Sequence, residues 1–177
     1  MLLRKINAVL SLLSTLLLLG HAIFLAAWML SRGGIPMGAK PVAWVLLGAM
    51  AAHAFISILL AFLGHKGAEK RKCKQYSRLN VSTVVQRASG ILLILLTGQH
   101  VAWAMRVWTL PRAVYAVLPP LFFALSLAHV AVSFSKAFIT LGIGNATFIK
   151  VTDVLMKVLC AAVLIADVAG FYLYLYG

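Results

Sequence analysis

The chain has 177 residues, 63% of them hydrophobic, and a mean hydropathy of +1.02. Repeated apolar stretches of about twenty residues exclude an ordinary water-soluble domain and predict membrane-crossing helices, and their continuous, non-alternating pattern argues against a β-barrel. Sixteen Lys and Arg against three acidic residues give a formal charge of +13; because most of these cations fall between apolar runs they report topology, and no nucleic-acid partner is expected.

Five spans follow in chain order, as one all-helical membrane domain covering 1–177. The first, 6–31, follows "MLLRK" and ends at "RGG" and Pro36. No small-residue cleavage site follows it, so it reads as a retained span rather than a removed signal. The second, 41–64, opens with Pro41 in a first-turn position. The third is 84–106. The fourth, 112–141, carries Pro119 and Pro120, which are expected to kink it. The fifth is 151–176, with Tyr172, Tyr174 and Tyr176 as an interfacial belt. No long linker, low-complexity segment or internal repeat separates them.

Lys and Arg set the direction. Arg4 and Lys5 precede the first span, "HKGAEKRKCKQYSR" joins the second to the third, and Lys136 and Lys150 flank the turn after the fourth. The opposite side has only Arg32, Lys40, Arg106 and Arg112. This bias places the N-terminus in the cytoplasm and the C-terminus outside; the membrane expected is the inner membrane of a prokaryote. The basic inner face suits anionic lipid and acidic partner surfaces. Cys73 and Cys160 lack the spacing of a metal site and read as free thiols.

Each of the first four spans carries an interior histidine: His21, His53, His100 and His129. A polar ring in hydrocarbon is costly unless something satisfies it, and imidazole is a common neutral ligand for haem iron in helix bundles. Depth suggests the pairing. His21 lies eleven residues before Arg32 and His100 six before Arg106, near the outer side. His53 lies thirteen after Lys40 and His129 seventeen after Arg112, nearer the inner side. At 1.5 Å per residue the two levels differ by about 10 Å. Spans one and three, like two and four, are diagonal neighbours in an up-down bundle. The expectation is two haems b stacked along the membrane normal, the distal held by His21 and His100 and the proximal by His53 and His129, within an antiparallel bundle of the first four helices.

Small residues near these histidines (Gly20, Gly48, Gly90, Gly98) suit close approach of a flat macrocycle, or ordinary helix packing. His65 reads as a solvated interfacial residue. Arg87, in "QRASG", is a candidate partner for a haem propionate or quinone oxygen, or else an interfacial anchor; Arg32 and Arg106 are weaker candidates for outer propionates. Asp167 is the one acid deep in a span, at a depth close to the outer histidines, and is a candidate for proton exchange with a quinone. Asp153 and Lys157, four apart, are expected to pair. Trp28, Trp44, Trp103 and Trp108 fit an outer interfacial belt.

"QRASGILLILLTGQHVAWAM" resembles the third span of the five-helix dihaem cytochrome b anchors of succinate:quinone oxidoreductases (succinate dehydrogenase and fumarate reductase), where Q-R-x-S/T-G precedes a ligand histidine. "HVAVSFSKAFITLGIG" and "HAFISILLAF" resemble two further segments of that family. The resemblance implies a membrane anchor carrying electrons between a cytoplasmic iron–sulfur subunit, docked with an FAD-containing flavoprotein, and menaquinone. It also implies that His53 and His129 hold the proximal haem and His21 and His100 the distal one. This chain departs from the family in "SRGGIPMGAKP", which has no acid, in Leu127-Ala128 before His129, and in Leu141 at a usual tryptophan. Two other readings are a dihaem subunit of another quinone-linked oxidoreductase and a haem-free small transporter or assembly protein.

Overall fold

A computed structural model of the chain describes residues 2–31, 39–68, 81–105, 107, 109 and 111–177, with backbone alone at 39, 64–68 and 81–83. The basic stretch from 69 to 78 with Cys73, as well as Arg32, Pro36, Arg106, Trp108 and the side chain of His65, lies outside the described residues. The described chain is helical: α1 (Leu2–Ser31), α2 (Ala39–Ala68), α3 (Val81–Ala104), α4 (Arg112–Leu141) and α5 (Ala146–Tyr176). All five are long and apolar enough to cross a membrane. Even α3, with 24 residues, reaches about 36 Å at 1.5 Å per residue, more than a hydrocarbon core of about 30 Å. Four helices extend beyond the predicted spans, because hydropathy marks the apolar stretch and not the polar turns that continue its hydrogen bonding.

The α4–α5 turn shows why the chain reverses there. Gly142 closes α4 in the left-handed region at φ 75°, and the Ile143 N–H reaches back to the Phe138 carbonyl. Gly144 follows at φ 88°, where an added Cβ would strike the Phe148 ring. Asn145 then caps α5, its side chain accepting the Phe148 N–H at 2.9 Å.

Pro119 and Pro120 lie inside α4, which remains helical on both sides of them. Pro120 lacks the N–H that would reach the carbonyl four residues back, at Ala116. Tyr172 of α5 donates its hydroxyl to that same carbonyl at 3.2 Å. A residue expected only in the interfacial belt therefore also satisfies a backbone acceptor in a setting where water is scarce.

Helix α1 packs against α2, α4 and α5, and α4 packs against α1, α3 and α5. Cross-helix contacts give the directions. Gln86 meets Lys136, and His100 meets Phe122, so α3 and α4 are antiparallel. Ser135 meets Asp153 and Ala116 meets Tyr172, so α4 and α5 are antiparallel too. Helix α5 runs parallel to α1: Leu19 shares a core with Met156 and Cys160, while Gly170 lies against Ala26 and Met29. The best-buried core thus lies where α5 covers the α1–α4 edge, with Leu127, Val130 and Val163 at its centre. Helix α2 is the outlier, with only 6% of its most apolar window buried inside the protein. Among the described residues neither α1 and α3 nor α2 and α4 share an extended contact.

Several hydroxyls bond to their own helix, while those of Ser14, Thr97 and Ser126 are buried without a partner among the described residues. Ser89 donates to the Val85 carbonyl, Thr140 to that of Lys136 and Thr152 to that of Phe148. Such bonds let hydroxyls lie in an apolar helix at small cost.

Candidate functional site

His21 and His100 line one cavity. His21 of α1 and His100 of α3 are near enough to interact electrostatically, as are His53 of α2 and His129 of α4. All four are half-buried. The two pairs join helices that otherwise share no extended contact among the described residues. Among the described residues α2 and α3 share no extended contact either, so α2 is held chiefly by α1.

The pair expected nearer the outer face, called the outer pair, lies in an apolar cavity of about 30 Å³, lined in part by His21, His100, Phe122, Ser126, Leu127 and Asp167. Phe122 stacks on His100, ring centroids 5.0 Å apart and 22° between planes. Asp167 reaches this cavity from α5, is 1% exposed, and its Oδ1 has no hydrogen-bond partner among the described residues. The hydroxyls of Ser126 and Thr97 are buried and unpaired as well. A buried polar atom without a partner costs about 1–3 kcal/mol, so an apolar cavity with two of them in its wall, on Asp167 and Ser126, is suited to a ligand that supplies the missing partners.

The inner pair has different surroundings. His129 Nδ1 lies 2.9 Å from Ser89 Oγ on α3. About two turns along α4 from His129, Lys136 donates to Gln86 Oε1 at 2.8 Å. On the α1–α2 side Asn7 and Ser57 exchange hydrogen bonds at 3.1 and 3.3 Å. Asp153 accepts from Ser135 of α4 and pairs with Lys157, as their spacing predicts. His53 Nδ1 is the exception: it is buried without a partner among the described residues.

Arg87 is exposed on α3, and its neighbour Gln86 is the residue of that turn that bonds to α4. Cys160 is a free, buried core residue. Trp28 packs on Tyr174 and Trp103 on Tyr115, and Trp44 is exposed. Gly20, Gly48 and Gly98 have nothing within 4 Å of where a Cβ would stand, so no neighbouring helix requires them to be small. Gly90 differs: an added Cβ would stand 3.3 Å from His129 Cε1.

Sequence reasoning singled out the histidines and Asp167 but not Ser89, Gln86, Ser126 or Lys136 as their company. Helical spacing held a signal. Ser89 lies three residues after Gln86, and Lys136 seven after His129, so each pair shares a helix face.

Among the described residues no three His, Cys, Asp or Glu converge on a single metal position. A bis-histidine haem needs two ligands per iron, so the donor set suits that group, and the unpaired His53 Nδ1 suits a site short of a partner. The outer cavity, at about 30 Å³, has room for about one water. Seating a porphyrin there requires Phe122 to turn aside and the diagonal helices to part. Comparison of the chain with protein-family models, curated protein sequences and solved structures finds no match.

Proposed function

We propose that this multi-pass membrane protein is the cytochrome b anchor of a succinate dehydrogenase or fumarate reductase, in a prokaryotic inner membrane with its N-terminus in the cytoplasm. The observation that carries this reading is that His21 of α1 and His100 of α3 line one cavity, although these helices share no extended contact among the described residues; His53 of α2 and His129 of α4 are near enough to interact electrostatically. Two imidazoles reaching across a gap from opposite helices are the arrangement bis-histidine ligation needs. Each bound haem supplies reversible one-electron chemistry.

The chain's own residues do the rest. His21 and His100 hold the distal group and His53 and His129 the proximal one. The apolar lining of the outer cavity excludes water. Asp167 stands at that cavity with an unpaired carboxyl oxygen, placed to exchange a proton with a quinone. On the inner side the basic residues, Lys136 and Lys150 among them, favour docking of an iron–sulfur subunit and its flavoprotein. Electrons then travel between that subunit and menaquinone at the outer half.

A second reading, a haem-free transporter or assembly protein, draws on the small outer cavity and on the stacking of Phe122 against His100. Optical spectroscopy of the purified chain decides between them. Two b-type haems per chain support the anchor; a colourless preparation overturns it. Co-purification of a covalent flavoprotein and an iron–sulfur chain separates this complex from other quinone-linked enzymes.

A further inference from the structure

We propose that Ser89 is the positioning residue for His129: its hydroxyl oxygen accepts a hydrogen bond from Nδ1–H and so leaves Nε2 as the bare, metal-ligating nitrogen of the inner pair. The inference rests on the haem reading for its consequence, but its geometric core does not. Ser89 Oγ is 2.6 Å from the Val85 carbonyl oxygen and 2.9 Å from His129 Nδ1. A hydroxyl has one proton, and a carbonyl can only accept. At 2.6 Å two oxygens without a proton between them repel, so the Ser89 proton lies on the Val85 contact. The oxygen therefore offers a lone pair to His129, and Nδ1 must be the donor. A neutral imidazole has one N–H, so Nε2 has none.

The seat is built from both sides. Gly90, the next residue, leaves room for the ring: a Cβ there would come to 3.3 Å from Cε1 and 3.8 Å from Nδ1. A larger residue would push the ring off the hydroxyl. Ser89 is itself 4% exposed, so water does not compete for its lone pair. In "QRASG" the serine and glycine thus serve a histidine on the neighbouring helix rather than the one on their own.

A ligand imidazole whose second nitrogen donates to an acceptor is a stronger electron donor to its metal and is fixed in orientation. Stronger donation favours the oxidised metal. Loss of the Ser89 oxygen is therefore expected to raise the midpoint potential of one haem and leave the other unchanged.

The test is a redox titration, with low-spin electron paramagnetic resonance, of the full-length purified chain as wild type, Ser89→Ala, Ser89→Cys and Ser89→Thr. Ser89→Ala and Ser89→Cys, which lose the acceptor or weaken it at nearly constant volume, are expected to shift one of the two potentials upward and move that haem's signal. Ser89→Thr keeps the hydroxyl and is expected to restore both. Unchanged potentials in Ser89→Ala, or a shift in Ser89→Thr as large as in Ser89→Ala, overturn the proposal, as does loss of haem from the alanine and threonine variants alike. If wild type proves colourless, the haem reading falls. Solid-state spectra of 15N-histidine-labelled chain in lipid then decide the Ser89 proposal: an unprotonated Nε2 on His129, lost as a uniform state in Ser89→Ala, upholds it, and a protonated Nε2 in wild type sinks it.

Discussion

The two histidine pairs lie in one bundle but in different chemical settings. Around the inner pair the protein supplies much of its own hydrogen bonding: Ser89 meets His129, Lys136 meets Gln86, Asn7 meets Ser57 and Ser135 meets Asp153, with His53 Nδ1 left without a partner among the described residues. Around the outer pair the walls are aromatic and aliphatic, and Asp167, Ser126 and Thr97 are left with unpaired atoms. Polar groups that are satisfied fix a geometry, whereas polar groups left short of partners in an apolar wall favour a ligand that brings its own. The inner half thus has more of its geometry fixed by internal hydrogen bonds, and the outer half has more unmet polar capacity to offer a ligand.

The largest expected effect tests whether the halves are separate sites. On the proposed dihaem function, His100→Ala is expected to lower haem content from two per chain to one while keeping the inner haem's spectrum, and His129→Ala to do the converse; loss of both haems from either variant would merge the halves into one site. Next is Asp167→Asn, which keeps the shape of the outer cavity but removes its acid. Quinone-linked turnover is expected to fall by about 10²-fold or more, in the range of general acid–base contributions, with both haems retained. Turnover within a factor of two of wild type would remove Asp167 from the proton path.

Smaller effects sharpen the same contrast through stability. Tyr172→Phe leaves the Ala116 carbonyl without its partner opposite Pro120, and is expected to cost about 1 kcal/mol in detergent unfolding. The smallest is Lys157→Ala at the inner end. Its pair with Asp153 is half-exposed, with side-chain exposures of 53% and 29%, so the change is expected to stay within about 0.5 kcal/mol. A larger cost there than for Tyr172→Phe would mean that the inner polar network bears on the whole bundle.

Much of this organisation is legible along the chain. The Arg112–Leu141 helix coincides with its predicted span, since Pro111 and the Gly142 turn mark its ends chemically. The fifth helix begins at Ala146 rather than at 151, because the cap at Asn145 starts it before the apolar run does. The histidines stood out because an imidazole is conspicuous in a hydrocarbon-length run. Ser89 and Ser126 did not, since a serine bonded to its own helix and one aimed at a neighbour look alike in a sequence. Arg87 shows the converse: its charge drew attention, yet it is Gln86 beside it that reaches across to α4.

The sequence by itself determined that this is a multi-pass helical membrane protein, which residues in its spans are chemically unusual, and at what depth each lies. These follow from hydropathy and from a fixed rise per residue, both local properties. Only the tertiary structure decided that α5 covers the α1–α4 edge, that Tyr172 serves the carbonyl freed by Pro120, that Asp167 opens onto the outer histidines, and that Ser89 and Gly90 form the seat of His129. Rotation of each helix about its axis sets which side chains meet across a gap. In lipid that rotation is chosen by packing and by the need to satisfy each polar group, not by hydropathy along the chain.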